Sequence, residues 1–341
     1  MRRFPLILAA VAVAFSASAA KPKGSVAKKT PTKTAVVAKK SAPAETAHRK
    51  TPYVGAISVD AATGRVLFED KADAEAYPAS VTKLMTLLLV MEDVKQGKYG
   101  FDDKVEATAD AYKSEPSWVG IKAGEKMSVR DLCAALMVES ANDAAIVLGV
   151  HSAGSFDAFV ARMNARAAEL GMARTKYFNP NGLPPNATKR YPWKSFNVST
   201  ARDQMVLARQ LVKMPEVMKL TSIKTCDLIK TTDGFRISVT RRTNEPNAPT
   251  APADGERIIT AMKNHNNVMR TEKLKIVNPD GTEAVDGLKT GYIDAGGSSI
   301  VLTGSRKGKR AIVVVLGSSS SKERDENARR LLSDALGSLA W

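Results

Sequence analysis

The sequence predicts an α+β fold, with strands near both ends of the folded region and helices between them. Three observations predict it. Short stretches beginning at Tyr53 alternate apolar and polar residues, a long middle segment carries helical periodicity, and strand-like runs followed by one amphipathic helix close the chain.

The N-terminal strands are Tyr53–Asp60 and Arg65–Glu69, joined as a hairpin through Ala62-Thr63-Gly64. Helical patterns dominate from about Ser80 to Leu220. The first apolar run, Leu84, Met85 and Leu87 to Met91, is too long for a typical strand and reads as a buried helix with Ser80 at its start. Ser128 and Asp131 are spaced as a capping box for a helix ending at Ser140, which puts Ser140 and Asn142 in the following inter-helix loop. Pro184 to Phe196 and Arg241 to Met262 are rich in Pro, Asn, Thr and charge and read as inserted loops. Val285–Ile293, Ser298–Ser305 and Arg310–Gly317 read as strands, the last two joined by a basic turn at Arg306–Lys309. Ser320 and Glu323 cap a final helix that carries Ala328, Leu331, Leu332, Ala335, Leu336 and Leu339 on one face.

Upstream of the folded region the chain changes character. Arg2 and Arg3 precede an apolar run over residues 5–15, and Ala17-Ser18-Ala19 supplies a small-residue cleavage pattern. Together they predict an export signal over residues 1–19, with an uncleaved anchor as the alternative. Residues 20–50 form a Lys/Ala/Thr/Pro linker whose nine basic residues and one acidic residue carry +8 of the net charge of +16. Such a tract buries no core. Behind an export signal it is read as lying along anionic envelope polymers or lipid headgroups, or as a solvated spacer, and nucleic acid is not an expected partner. The domain proper spans 51–341, in the periplasm or cell envelope. Cys133 lies in an apolar helical stretch and reads as a buried free thiol; a bridge to Cys226 stays open. Only His48, His151 and His265 are present and Cys-x-x-Cys is absent, so neither a metal nor a cofactor is expected, and no G-x-S-x-G elbow supports a Ser-His-Asp triad.

The chemistry is carried by Ser80-Val81-Thr82-Lys83, Ser140-Ala141-Asn142 and Lys289-Thr290-Gly291. On a helix, residues three apart share a face, so Lys83 stands beside the Ser80 hydroxyl. Serine needs a neighbouring base to become a nucleophile, and lysine serves only if burial or nearby positive charge lowers its pKa. Each motif alone is short; the three in this order resemble the signature of serine acyl-transfer enzymes that bind penicillin, with Ala141 where β-lactamases usually carry Asp.

From about Tyr53 to Leu336 the chain resembles the low-molecular-mass D-alanyl-D-alanine carboxypeptidases and endopeptidases of the β-lactamase/DD-peptidase superfamily. The resemblance rests on Tyr77 to Thr86, Glu139 to Ala145, Phe178 to Leu183, Ser199 to Asp203 and Asp286 to Gly291. It implies an antiparallel sheet made from both chain ends with an inserted helical lobe. It also implies a D-Ala-D-Ala carboxypeptidase acting on peptidoglycan stem peptides through an acyl-enzyme and inhibited by β-lactams. In that scheme Ser80 is the nucleophile, Lys83 the general base, Ser140 the proton relay and Asn142 an aligning residue. Lys289, Thr290 and Gly291 bind substrate, and the backbone N–H of Tyr292 joins that of Ser80 as oxyanion donor. An endopeptidase acting on cross-links is the alternative. A β-lactamase is disfavoured because the ExxLN pattern is absent, and a non-catalytic wall-binding protein because the three motifs are intact. The chain ends at Trp341, directly after the final helix, so the family's further C-terminal β domain and membrane anchor are expected to be missing.

Overall fold

The structure is a computed structural model and describes residues 52–340 apart from 110, 112–114, 186, 188–194 and 240–252. The expected signal (1–19) and basic linker (20–50) lie outside the described residues, as does much of both expected inserts.

The chain enters through β1 (Gly55–Asp60) and β2 (Val66–Asp70), which form the hairpin expected from the sequence. A 3-10 turn over Ala79–Thr82 leads into α1 (Lys83–Lys95), whose residues Leu84 to Met91 are all buried. A helix that is apolar on every side belongs in a core, and α1 is the axis of the helical lobe. Around it come a small ladder, β3 (Lys104–Glu106) with β4 (Lys126–Ser128), and then the helices α2 (Val129–Val138), α3 (Asn142–Ala153) and α4 (Phe156–Glu169). Ser128 caps α2 as its sequence predicts, its hydroxyl accepting from the Asp131 amide at 3.0 Å. The lobe is completed by α5 (Ala201–Leu211) and α6 (Pro215–Thr221).

Next is a second sheet, β5 (Thr225–Lys230), β6 (Phe235–Ser238) and β7 (Arg257–Lys263), in the order β6-β5-β7. This corrects one expectation: Arg257 to Met262 belong to a strand, not to an inserted loop. A single helical turn, α7 (Asn267–Arg270), leads to β8 (Val285–Ile293), β9 (Gly297–Arg306), β10 (Lys309–Ser318) and the final helix α8 (Ser321–Leu339).

The main sheet is five-stranded and antiparallel, in the order β2-β1-β10-β9-β8, so strands from both chain ends do pair. Alternation sends its side chains to two cores. Ile57, Val59, Leu288, Val301, Ile312, Val314 and Leu316 face the helical lobe. Ala56, Ile300, Leu302, Ala311, Val313 and Val315 face the apolar stripe of α8, formed by the six residues its periodicity predicts. Each buried Leu or Val contributes about 1.5–3 kcal/mol. The order is therefore helical lobe, sheet, α8, and β8 is an edge strand beside the lobe. Among the described residues, no single helix is long and apolar enough to cross a membrane.

Candidate active site

The three motifs converge on one cleft of about 490 Å³, lined by Ser80, Ser140, Asn142, Thr290, Gly291 and Tyr292, with Pro116, Ser117 and Leu183 on its rim. Ser80 sits in the 3-10 turn just before α1 rather than in the α-helix itself. The preceding Ala79 has φ of 49°, a left-handed conformation that is costly for alanine. What holds it is the segment 179–183. Gly182 (φ 86°) lies so close that a Cβ there would fall 1.9 Å from the Ala79 carbonyl oxygen. Buried asparagines fix that segment: Asn179 Oδ1 accepts from the Gly182 amide at 2.6 Å. Asn197 Nδ2 donates to the Asn179 carbonyl and to Thr82 Oγ1, both at 3.0 Å.

Lys83 opens α1 and is wholly buried. Its Nζ contacts Ser80 Oγ at 2.8 Å, Asn142 Oδ1 at 2.7 Å and the Asn181 carbonyl at 2.8 Å. Asn142 Nδ2 donates to the Glu115 carbonyl at 2.7 Å, which turns Oδ1 towards the lysine. Two of the three contacts can therefore only accept. A neutral amine has two N–H donors and one lone pair; the donors go to Asn142 and Asn181, and the lone pair is left facing the Ser80 hydroxyl. Electrostatics favours that neutral form: burial, then repulsion from Lys289, pull the Lys83 pKa well below its ordinary value, against an opposing pull from Asp143.

Ser140 occupies the three-residue break between α2 and α3, with φ of 62°. Among the described residues its hydroxyl has no hydrogen-bond partner, and Lys83 bonds to Asn142 and Asn181 instead. Asn142 is not in the loop as expected; it is the first residue of α3, and its amide donates to the Ser117 carbonyl at 2.8 Å. Three residues suffice to turn from α2 into α3, and helical periodicity does not register so short a break.

Sequence reasoning missed two contributors. Asn181 enters the sequence reading only within the segment Phe178 to Leu183, and a backbone carbonyl has no side-chain signature. Asp143 is buried and accepts from the Val119, Gly120 and Ile121 amides at 3.2, 2.8 and 3.2 Å, clamping the segment that follows the rim residues Pro116 and Ser117 onto α3. Its sequence signals are its place in the segment Glu139 to Ala145 and an acidic residue in the first turn of a helix.

The third motif lies on β8. Gly291 passes the Ser80 turn so closely that a Cβ would stand 2.6 Å from the Pro78 carbonyl oxygen and 2.9 Å from the Ser80 nitrogen. Only glycine keeps the space beside the Ser80 amide open. Lys289 is buried and donates to the Thr290 carbonyl at 3.0 Å. Burial and then Arg324 push its pKa down to about 7, with Glu139 opposing. Tyr292 is 60% exposed, and its hydroxyl donates to Asp294 at 2.7 Å.

His265, Asn267, Arg270 and Arg324 form the far wall of the cleft. His265 is exposed over part of its surface, yet desolvation of the ring against the cleft wall and then the nearby cations Lys289 and Lys83 lower its pKa to about 4, so it is neutral at neutral pH. Cys133 and Cys226 are both buried and unbridged, their thiols pushed up to about 12 by burial.

The sequence profile of the D-alanyl-D-alanine carboxypeptidase family, peptidase S11, matches residues 41–245. DacF of Bacillus subtilis, a D-alanyl-D-alanine carboxypeptidase, is 30% identical over 283 residues, covering 81% of this chain and 60% of the relative. The chain thus spans about three-fifths of the length of that relative. Among solved structures, the D-alanyl-D-alanine carboxypeptidase DacD from Francisella tularensis superimposes with a TM-score of 0.70 at 28% identity, covering 88% of this chain and 74% of that one. Penicillin-binding protein D2 from Listeria monocytogenes, in its ampicillin-bound form, gives 0.63 at 27% identity over 84% of this chain and 98% of that one.

Proposed function

The chain belongs to the peptidase S11 family of D-alanyl-D-alanine carboxypeptidases, and from that premise we propose that it is a serine-type D-Ala-D-Ala carboxypeptidase acting on peptidoglycan stem peptides. The observation that carries the reading is the 2.8 Å contact between Lys83 Nζ and Ser80 Oγ, with both other lysine contacts restricted to acceptors.

In this reading Ser80 Oγ attacks the carbonyl of the penultimate D-Ala while its proton passes to the Lys83 lone pair. The oxyanion lies between the backbone N–H groups of Ser80 and Tyr292, in the space that Gly291 leaves open; one such donor is worth about 2.7–4 kcal/mol. The proton then moves from Lys83 through the unengaged Ser140 hydroxyl to the leaving amine, the C–N bond breaks and D-Ala departs. Water attacks the ester, gives its proton to Lys83, and Ser80 Oγ recovers a proton as the acyl group leaves. Asn142 holds the lysine throughout. Lys289 adds positive charge that disfavours protonated Lys83, and Thr290 offers a hydroxyl to the substrate carboxylate. Penicillin, whose amide presents a carbonyl to the same serine, is expected to stop at the ester, in keeping with the ampicillin-bound relative. The charged start, the apolar run and Ala17-Ser18-Ala19 support export to the periplasm, the mature chain then beginning at Ala20.

Digestion of intact muropeptides tests the reading. Release of D-Ala from pentapeptide monomers, abolished in Ser80→Ala, is the expected result. Conversion of cross-linked dimers to monomers without D-Ala release would make the enzyme an endopeptidase on the same machinery. Undiminished activity in Ser80→Ala would overturn the assignment.

A further inference from the structure

Away from the cleft, the helical lobe carries an uncovered apolar groove. Two hollows of about 300 and 330 Å³ follow one another along α6 and meet at Phe101 and Glu216. Met91 and Val94 of α1 and Met214 wall the first. Leu220 of α6, Ile237 of β6 and Val239 wall the second, and Val239 is 45% exposed. Most charges on the rim are already matched. Lys219 lies 2.8 Å from Glu216, Arg130 lies 3.1 Å from Asp102 and over the Phe101 ring, and Asp131 is held by Ser128 and the Ile237 backbone. Lys95 and Lys213 are not matched. Both are exposed beside the first hollow, and among the described residues neither has a partner. An exposed apolar surface bordered by unmatched charge of one sign is suited to a partner of the opposite sign.

We propose that this groove docks an acidic amphipathic helix of a partner protein, two of its apolar side chains seated in the two hollows and its carboxylates facing Lys95 and Lys213. The spacing fits. The seven residues of α6 extend over about 10 Å, so hollows set along it receive side chains one or two turns apart on one helix face. The chemistry of the walls fits as well. They are mostly side chains of α1, α2 and α6, and a helix, whose backbone bonds are satisfied internally, can rest on side chains alone. An extended segment would leave its own N–H and C=O groups unpaired there. Lys95 ends α1, about 18 Å along that helix from Lys83. The docked helix therefore leaves the catalytic cleft open, and the contact recruits the enzyme to its partner without blocking substrate. The inference does not depend on the acyl-transfer reading.

Fluorescence anisotropy on the full chain tests the proposal with three labelled helical peptides, each about five turns long so that the helix forms. The first carries leucines along one face and glutamates elsewhere. In the second the leucines are serines, and in the third the glutamates are lysines. The first should bind at least about tenfold more tightly than either of the others. Equal binding of the serine peptide would mean that charge alone is read, as the basic tract over residues 20–50 can do, and would overturn the proposal. Equal binding of the lysine peptide, or no saturable binding of the first, would overturn it too. Lys95→Glu combined with Lys213→Glu should weaken the first peptide about tenfold and strengthen the lysine peptide, a reversal that a merely structural role would not produce. Met214→Asp should abolish binding of the first, and turnover of a soluble D-Ala-D-Ala peptide should stay unchanged in both variants. Should Met214→Asp fail to fold, the exposed lysine pair carries the test alone. Unchanged binding of both peptides by the lysine variant places the contact elsewhere and sinks the proposal.

Discussion

Lys83 has three hydrogen-bonding contacts and is wholly buried, and that combination decides what the side chain can do. An ordinary lysine carries a proton at neutral pH and cannot take one from serine. Here burial and then Lys289 pull its pKa well below the ordinary value, and in the neutral form the two obligate acceptors would leave the lone pair facing Ser80. Protonation of Lys83 switches the base off, so acylation should fall as pH drops below its lowered pKa. Above about pH 7 Lys289 loses its charge and the attraction for an anionic substrate fades, so kcat/KM should decline again. Lys289→Arg should therefore remove the alkaline decline in a stopped-flow pH profile. Lys83→Arg should slow acylation by about 10²–10⁴, the usual worth of a general base. Near-normal acylation in that variant would assign the base elsewhere. The serine–lysine pairing was legible in the sequence because helical geometry brings residues three apart together. The Asn181 carbonyl was not, since any residue at that position would carry one.

At the scale of elements, the site depends on how closely β8 and the segment 179–183 approach the Ser80 turn. Two glycines make the approach possible, Gly182 behind Ala79 and Gly291 beside the Ser80 amide. Gly291→Ala places a methyl where the oxyanion would sit. Acylation by a penicillin should drop at least about 10²-fold, the loss expected for one oxyanion donor. Circular dichroism should report an intact fold. Normal acylation would mean that the oxyanion binds elsewhere. Periodicity exposed the main strands, α1, the capped start of α2 and the stripe of α8, because each buries a regular pattern of side chains. The β5–β7 sheet escaped notice: β6 has four residues, and β7 keeps most of its side chains exposed, so burial imposed little pattern on it. Asn142 escaped for a different reason, the shortness of the turn between α2 and α3.

Over the whole molecule, the main sheet carries a core on each face and presents β8 to the helical lobe. It thereby joins residues as far apart in the chain as Ser80 and Lys289. No local pattern reports such a meeting. It was foreseeable only because three short motifs occur together in one order, and it depends on strands from both chain ends pairing across β1 and β10. The central claim is that this meeting makes Ser80 a nucleophile. Incubation with a penicillin followed by mass spectrometry of the intact protein and its peptides tests that claim most directly. One adduct of the full mass of the antibiotic, on the peptide containing Ser80 and absent from Ser80→Ala, is the predicted result. An adduct on another residue, or full labelling of Ser80→Ala, would contradict it.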